Sequence, residues 1–423
     1  MMEDEWGASF LKTTVATEPA RPVSPPTPVL ALSPERKFVT STLVLLSLAH
    51  FSVDFYSGSV ATLQPVFAEH YSLSLTQAGL IGGVFMLSSA VMQPFFGLVS
   101  DRMHSRLFAV AGLAVAAMFL SGMGIAPGFG TLLLLIFAGG MGVAAFHPQS
   151  TSQVTTQAGA RRGTALSIFM TAGMLGISCG PAYFSFLAER LGLESLYWAA
   201  LPGLVVAGFL FWRLPADAGS QRAAQPVAWG VIRGQWKPLS LHYSLVVLRS
   251  VVQLALTQFL TLYLYTTRGF TLKEASFALT LFFAASAFAV FCGGGLADRI
   301  GGRRVVLLSM LGCVPFLAIF LGTSGWVSLL ALCIGSFLLL LTNPVIVVMA
   351  QDLIPAQAGT ASALMMGFGW GMAGITFIPL IGCLGDRLGL ETVLWGVVLL
   401  PVMGFLLAMK LPESPSRGPA VAH

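Results

Sequence analysis

The chain has 423 residues, of which 56% are hydrophobic and only 9% charged, against about 25% charged in ordinary soluble domains. That balance excludes a soluble globular protein. The net charge of +5 is spread over short loops and forms no basic face or run, which excludes nucleic acid as a partner.

In chain order, residues 1–37 are rich in Pro, Ser and Thr, start with Glu3-Asp4-Glu5, and lack the basic start and short apolar core of a signal peptide. They read as a disordered cytoplasmic tail. Six apolar runs follow, near 38–68, 76–99, 105–125, 129–155, 163–188 and 195–213, each long enough to cross a hydrocarbon core of about 30 Å at about 1.5 Å per residue. A polar connection at 214–240 separates them from six more, near 241–267, 274–297, 304–322, 326–351, 357–385 and 391–411, and residues 412–423 form a second short tail. The chain also holds 46 glycines, as expected where helices pack closely in lipid through small residues. Cys179, Cys292, Cys313, Cys333 and Cys383 all lie in apolar runs without a C-x-x-C or zinc-like spacing, so they read as packing residues.

With the N-terminus inside, 17 Lys and Arg fall on the cytoplasmic side and only Arg190, Arg268, Lys273 and Arg387 outside. Basic residues resist translocation, so both termini are expected in the cytoplasm. A repeat fixes the architecture further. "GLVSDRMHSR" at 97–106 recurs as "GGLADRIGGR" at 294–303, an offset of 197, and the same offset carries "ERLGLESLYW" at 189–198 onto "DRLGLETVLW" at 386–395 and Leu214-Pro215 onto Leu411-Pro412. The predicted fold class is therefore an all-α membrane protein of twelve transmembrane helices. It comprises two pseudo-symmetric six-helix bundles, 38–213 and 241–411, joined by a cytoplasmic linker at 214–240, with a substrate site near the midplane between them.

The repeated Gly-x-x-x-Asp-Arg-x-x-x-Arg pattern resembles the cytoplasmic signature of the major facilitator superfamily, and the likeness spans residues 38–411. "LAHFSVDF" in span 1, "FHPQS" in span 4 and "GTALSIFMTAGMLGISCGP" in span 5 resemble the fosmidomycin-resistance branch of bacterial proton-driven exporters. The resemblance implies rocker-switch alternating access, with spans 1, 4, 7 and 10 lining the cavity. It assigns Asp101, Arg102 and Arg106, with Asp298, Arg299 and Arg303, to a latch that holds one state. It also implies a monomer in the bacterial cytoplasmic membrane that uses protons, a small-molecule substrate and the lipid bilayer, with no cofactor and no bound metal. Two departures stand out. Phe184-Ser185 and Ser167 replace glycines of the drug-antiporter element around Gly176, Gly180 and Pro181, and Ile136 stands where that group has an arginine.

Outside loops and tails, only Asp54 in span 1 and Arg249 in span 7 are charged. A charge at the centre of a membrane helix costs about 2.5–3.5 kcal/mol, so each needs a partner, a wet cavity or a function. His50 lies one turn before Asp54 on the same helix face. A cationic neighbour that moves relative to a carboxyl loads or releases a proton, which makes Asp54 and His50 the candidates for proton coupling. Arg249 aligns with Ser52 in the repeat, and a guanidinium suits a phosphonate or carboxylate. Asp54 and Arg249 are expected to pair across the cavity in one state and to separate when an anionic substrate takes Arg249. A permanent ion pair joining the bundles is the structural alternative.

His147-Pro148 in span 4 and Asn343-Pro344 in span 10 put a polar residue before a proline at nearly the same depth in each half. Proline frees backbone carbonyls that membranes tolerate only toward protein or water. Pro148, Pro181 and Pro344 are therefore predicted kinks, with His147 and Asn343 as substrate contacts. Gln64 and Gln253 are further substrate candidates, although for each alone a hydrogen bond to another helix is the favoured reading. Ser324 in "GTSG" imitates an intramembrane serine protease motif but falls in the short connection between spans 9 and 10. An aspartyl mechanism needs two membrane carboxylates, and only Asp54 is present. A metal carrier built on His50, Asp54 and His147 has no diagnostic spacing behind it. The sequence thus points to a proton-coupled antiporter exporting a small anionic or amphipathic compound, with a proton symporter importing an organic acid as the alternative.

Overall fold

The computed structural model describes residues 41–103, 106–158, 162–214 and 229–412. The tail expected at 1–37, the tail beyond 412, most of the connection between the halves, and the side chains of Asp101 and Arg102 lie outside the described residues. Among the described residues there is no strand. Among the described residues, twelve helices are long and apolar enough to cross a membrane. They are α1 (Ser41–Thr62), α2 (Leu75–Ser100), α3 (Leu107–Ile125), α4 (Phe129–Thr155), α5 (Ala165–Leu191), α6 (Leu193–Arg213), α7 (Trp236–Thr266), α8 (Leu272–Ile300), α9 (Gly302–Gly322), α10 (Gly325–Leu353), α11 (Thr360–Leu388) and α12 (Leu390–Ala408). A short helix, Gln64–His70, caps the end of α1, and another, Trp229–Gly234, precedes α7.

Local chemistry sets the boundaries, and it repeats. α2 opens with a capping box between Ser74 and Gln77, and α8 opens with the same box between Thr271 and Glu274, 197 residues on. α5 and α11 end at Gly192 and Gly389, whose φ angles of 80° and 83° only glycine adopts freely. The Tyr71 hydroxyl donates to the Ala126 carbonyl at the end of α3, and the Arg268 guanidinium donates to the Thr323 carbonyl at the matching end of α9, at 2.7 Å. These pairs are also one repeat apart, so the sequence repeat is a structural one.

The closest helix pair is α1 on α5. Glycines make it possible. A Cβ on Gly176 would collide with the Phe51 carbonyl, one on Gly180 would sit 2.5 Å from the Phe55 carbonyl, and one on Gly58 would sit 3.2 Å from the Ile177 carbonyl. The glycine-proline element of span 5 therefore has a packing function: it brings two backbones together. α2 lies on α11 in the same manner, with Gly79 against Ile378 and Gly382 against the Leu75 carbonyl. α5 also packs on α8, so the pairs α2 with α11 and α5 with α8 join the two halves. α1 and α7 are the most enclosed of the twelve spans.

Helix breaks are distributed unevenly. α4 continues through Pro148 and α5 through Pro181, whereas α10 breaks at Leu341, with Asn343-Pro344 in the first turn of the segment Thr342–Leu353. The rings of Pro148 and Pro344 lie against Gly97 of α2 and Gly293 of α8. Both prolines thus fill space left by a glycine on a neighbouring helix of their own half. Two π-helical turns, Leu87–Val91 in α2 and Ala363–Gly369 in α11, touch each other across the halves.

Replacing Gly176 by Val is expected to overpack the α1–α5 contact and cost about 1–3 kcal/mol, read as a lower melting temperature and poorer monodispersity in detergent. Gly396→Ala in α12, where an added Cβ meets open space, is expected to leave both unchanged.

Candidate functional site

α1 supplies two of the site's polar groups by helix periodicity alone. His50 and Asp54 are four residues apart, and His50 Nε2 lies 3.2 Å from Asp54 Oδ2. α4 supplies a third from across the half. His147 Nε2 lies 3.4 Å from the other carboxylate oxygen, Oδ1, so both histidines converge on one aspartate. The His50 side chain is 3% exposed, and those of Asp54 and His147 are 18% and 21% exposed, which makes the Asp54–His147 edge the accessible one. His50 is wedged between aromatic rings: it stacks on Phe169 of α5 at 4.1 Å and lies 6.0 Å from Phe146 of α4. Gly173 of α5 closes the back, since a Cβ there would sit 2.5 Å from both Asp54 Oδ2 and His50 Nε2.

The hydrogen bonds constrain where protons can be. His50 Nδ1 is 2.8 Å from the Phe169 carbonyl, and His147 Nδ1 is 2.8 Å from the Val143 carbonyl. A carbonyl only accepts, so each Nδ1 carries the hydrogen. In a neutral ring Nε2 then presents a lone pair, and here both lone pairs would face an ionised carboxylate. Each contact becomes attractive only with a proton between nitrogen and oxygen. With neither proton the triad carries a charge of about −1, with one about 0, and with both about +1. The three ligand atoms also lie within 4.8 Å of one another, a donor set that borderline transition metals accept.

Arg249 lies thirteen residues into α7, as Asp54 does into α1, which puts both about 20 Å along their helices. They do not pair in this conformation. The guanidinium donates to Gln253 Oε1 at 2.7 Å and to Ser250 Oγ at 3.1 Å, while Nε is buried without a hydrogen-bond partner. Arg249 is 4% exposed. Its two partners are neutral, so a buried cation is solvated here by dipoles only. Gln253, singled out as a substrate candidate, is held by this arginine. Gln64 lies elsewhere: it is fully buried beyond the end of α1 and donates to the Ala78 carbonyl of α2 at 2.7 Å. Asn343 is half-buried at the break in α10.

The Asp–Arg loops behave locally. Arg106 donates to the Leu214 carbonyl and stacks on Phe211, and Arg303 donates to the Met409 carbonyl at 2.8 Å. Each arginine therefore ties the start of α3 or α9 to the far end of α6 or α12 within its own half. Asp298 and Arg299 are exposed, and the side chains of Asp101 and Arg102 lie outside the described residues. Ile136, standing where an arginine was looked for, is fully buried in apolar packing, so that position carries no charge-relay role.

Sequence reasoning missed the link between His147 and Asp54, and with it the supporting roles of Phe146, Phe169 and Gly173. A signal existed. The three stretches that carried the narrower family resemblance contain His50 and Asp54, Phe146 and His147, and Phe169 and Gly173, and the fold brings these six residues together.

Comparison with known proteins agrees with this architecture. The family model described as Major Facilitator Superfamily matches residues 46–375 and 250–422. The chain is 30% identical over 385 residues to the uncharacterized MFS-type transporter YfnC of Bacillus subtilis, covering 88% of this chain and 92% of that one. It is 28% identical over 376 residues to the fosmidomycin resistance protein of Escherichia coli, covering 87% and 92%. Among solved structures it is similar to a bacterial homolog of the human lysosomal transporter Spinster in an inward-facing, unoccupied conformation, with a TM-score of 0.74, 16% identity and coverage of 89% of this chain and 98% of that one. A D-xylose-proton symporter gives a TM-score of 0.71 at 16% identity, covering 90% and 99%. Because the family match runs through both halves of a twelve-span repeat, the chain belongs to the major facilitator superfamily, whose members carry small molecules across membranes rather than transform them.

Proposed function

We propose that the protein is a proton-coupled antiporter that exports a small anionic or amphipathic compound across the bacterial cytoplasmic membrane. The observation that carries this reading is the His50–Asp54–His147 triad, a carboxylate inside an apolar span whose two contacts each call for a proton. Asp54 is the proton carrier, and His50 and His147 are the groups that share its load. The names of relatives support export, since one is a fosmidomycin resistance protein.

Antiport requires that proton and substrate exclude each other. They do so when a donor group of the substrate takes the accessible edge of Asp54 or His147, because it then occupies the acceptor atoms a proton would use. Loss of a proton leaves lone pairs facing each other, so α4 and α1 separate at this point and admit the substrate. Arg249, at matching depth in the other half, supplies the opposing contact and favours a phosphonate or carboxylate on the substrate. The alternative, a proton symporter importing an organic acid, draws support from Arg249 itself. An anion held there without touching the triad attracts protons to Asp54 rather than expelling them, and the two travel together. Proton release on adding substrate to the detergent-solubilised protein marks antiport, and proton uptake marks symport.

In liposomes with an imposed pH gradient and a panel of carboxylates, phosphonates and amphipathic compounds, Asp54→Asn is expected to lower gradient-driven flux about 5- to 150-fold, the usual span of a coupling free energy. Substrate exchange at equal pH should persist. An Asp54→Asn protein with full proton-coupled flux would remove Asp54 as the carrier. Arg249→Lys keeps the charge but loses the planar fork, so it is expected to raise KM for anionic substrates about tenfold or more while leaving the proton count per turnover unchanged.

A further inference from the structure

α2 and α8 begin at the end of the molecule opposite the Asp–Arg loops, and each caps its own start incompletely. The Ser74 hydroxyl accepts from the Gln77 N–H at 3.2 Å, and Gln77 Oε1 accepts from the Ser74 N–H at 2.9 Å. The Thr271 hydroxyl accepts from the Glu274 N–H at 3.3 Å, and Glu274 Oε2 accepts from the Thr271 N–H at 2.9 Å. A capping box of this kind serves the first and last of four successive amides and leaves the two between them open. In both helices an acceptor for these amides comes from the other half. Asp386, in the last turn of α11, accepts from the Leu75 N–H at 2.7 Å, the Thr76 N–H at 2.9 Å and the Thr76 hydroxyl at 2.5 Å. Glu189, in the last turn of α5, accepts from the Lys273 N–H at 2.9 Å.

These contacts form a symmetric pair. Glu189 and Asp386 are one repeat apart, as are Thr76 and Lys273, and the two carboxylates open the "ERLG" and "DRLG" stretches that the transport site leaves without a role. The approach is built in. Gly382, one turn before Asp386, lies against the Leu75 carbonyl, where no side chain would fit. A carboxylate at a helix start is favoured by the helix dipole, but only modestly at an exposed site, by about two- to fivefold in population for each. That strength suits a contact made and broken in every cycle.

We propose that Asp386 and Glu189 form a two-point latch between the halves, closing the end opposite the Asp–Arg loops and releasing when that end opens. The latch rests on the alternating-access reading. Asp386, with three bonds, is the stronger point and Glu189 the weaker. Their donors are backbone amides and the Thr76 hydroxyl, so no complementary cation is required and sequence inspection for ion pairs passes over them.

The test reads opening directly. In full-length protein with the five native cysteines replaced by Ala or Ser, Ala61→Cys places a thiol where α1 meets α7, at a residue 5% exposed whose carbonyl accepts from Thr261. Its labelling rate with a water-soluble maleimide, measured without substrate or pH gradient, tracks the open population. Adding Asp386→Ala and Glu189→Ala together is expected to raise that rate about 3- to 30-fold, with Asp386→Ala alone contributing more than Glu189→Ala alone. Ala116→Cys, at a fully buried position inside one half, should stay unlabelled and so reports an intact fold. If the double alanine variant fails that control, Asp386→Asn with Glu189→Gln removes the charges at constant size and is expected to give a smaller rise in the same direction. An unchanged rate at Ala61→Cys in a folded double variant overturns the latch while leaving the proton reading intact. Loss of coupling in Asp54→Asn has no bearing on it.

Discussion

Much of this structure depends on one carboxylate in the middle of an apolar helix. Asp54 is accommodated there because His50 and His147 meet its two oxygens, contacts that a shared proton makes attractive. The surrounding packing serves that arrangement. Phe169 and Phe146 hold the His50 ring, two backbone carbonyls orient the imidazoles, and Gly173 leaves the space that Asp54 and His50 occupy. A glycine-lined contact between α1 and α5 is thus part of the site as well as of the scaffold.

The two halves are most alike at their ends and least alike at their centres. Capping boxes, positive-φ glycines, carbonyl ties and cross-half carboxylates recur one repeat apart. At the centre, Asp54, His50 and His147 correspond to Val251, Val247 and Pro344, and Arg249 corresponds to Ser52. The division fits the proposed alternating access, in which similar ends let two bodies pivot on each other while the acid lies in one body and the guanidinium in the other.

Arg249 and the triad also divide the electrostatic problem. The buried guanidinium of Arg249 is bonded only to an amide and a hydroxyl, neutral dipoles that offset its desolvation only partly. It does not pair with Asp54, whose two oxygens are taken up by the histidines of its own half. The acid is kept with two histidines and the cation with two neutral acceptors, each within its own half.

The sequence by itself determined the twelve spans, the repeat, the family and the two residues whose charge has no business in a membrane, because hydrophobic length, internal offset and the cost of a buried ion are all properties of residues in order. It also made His50 and Asp54 neighbours, since a helix places positions four apart on one face. It could not place His147 on Asp54, since that contact depends on how closely α4 and α5 approach α1, and the glycines that set this distance look alike in every span. For the same reason Gln64 and Gln253 were indistinguishable until the fold committed one to a backbone carbonyl of α2 and the other to Arg249. Only tertiary structure decided which carboxylates reach across to the other half. Asp386 and Glu189 act on helix amides, and a backbone donor left open by a capping box has no side-chain identity by which a sequence could announce it.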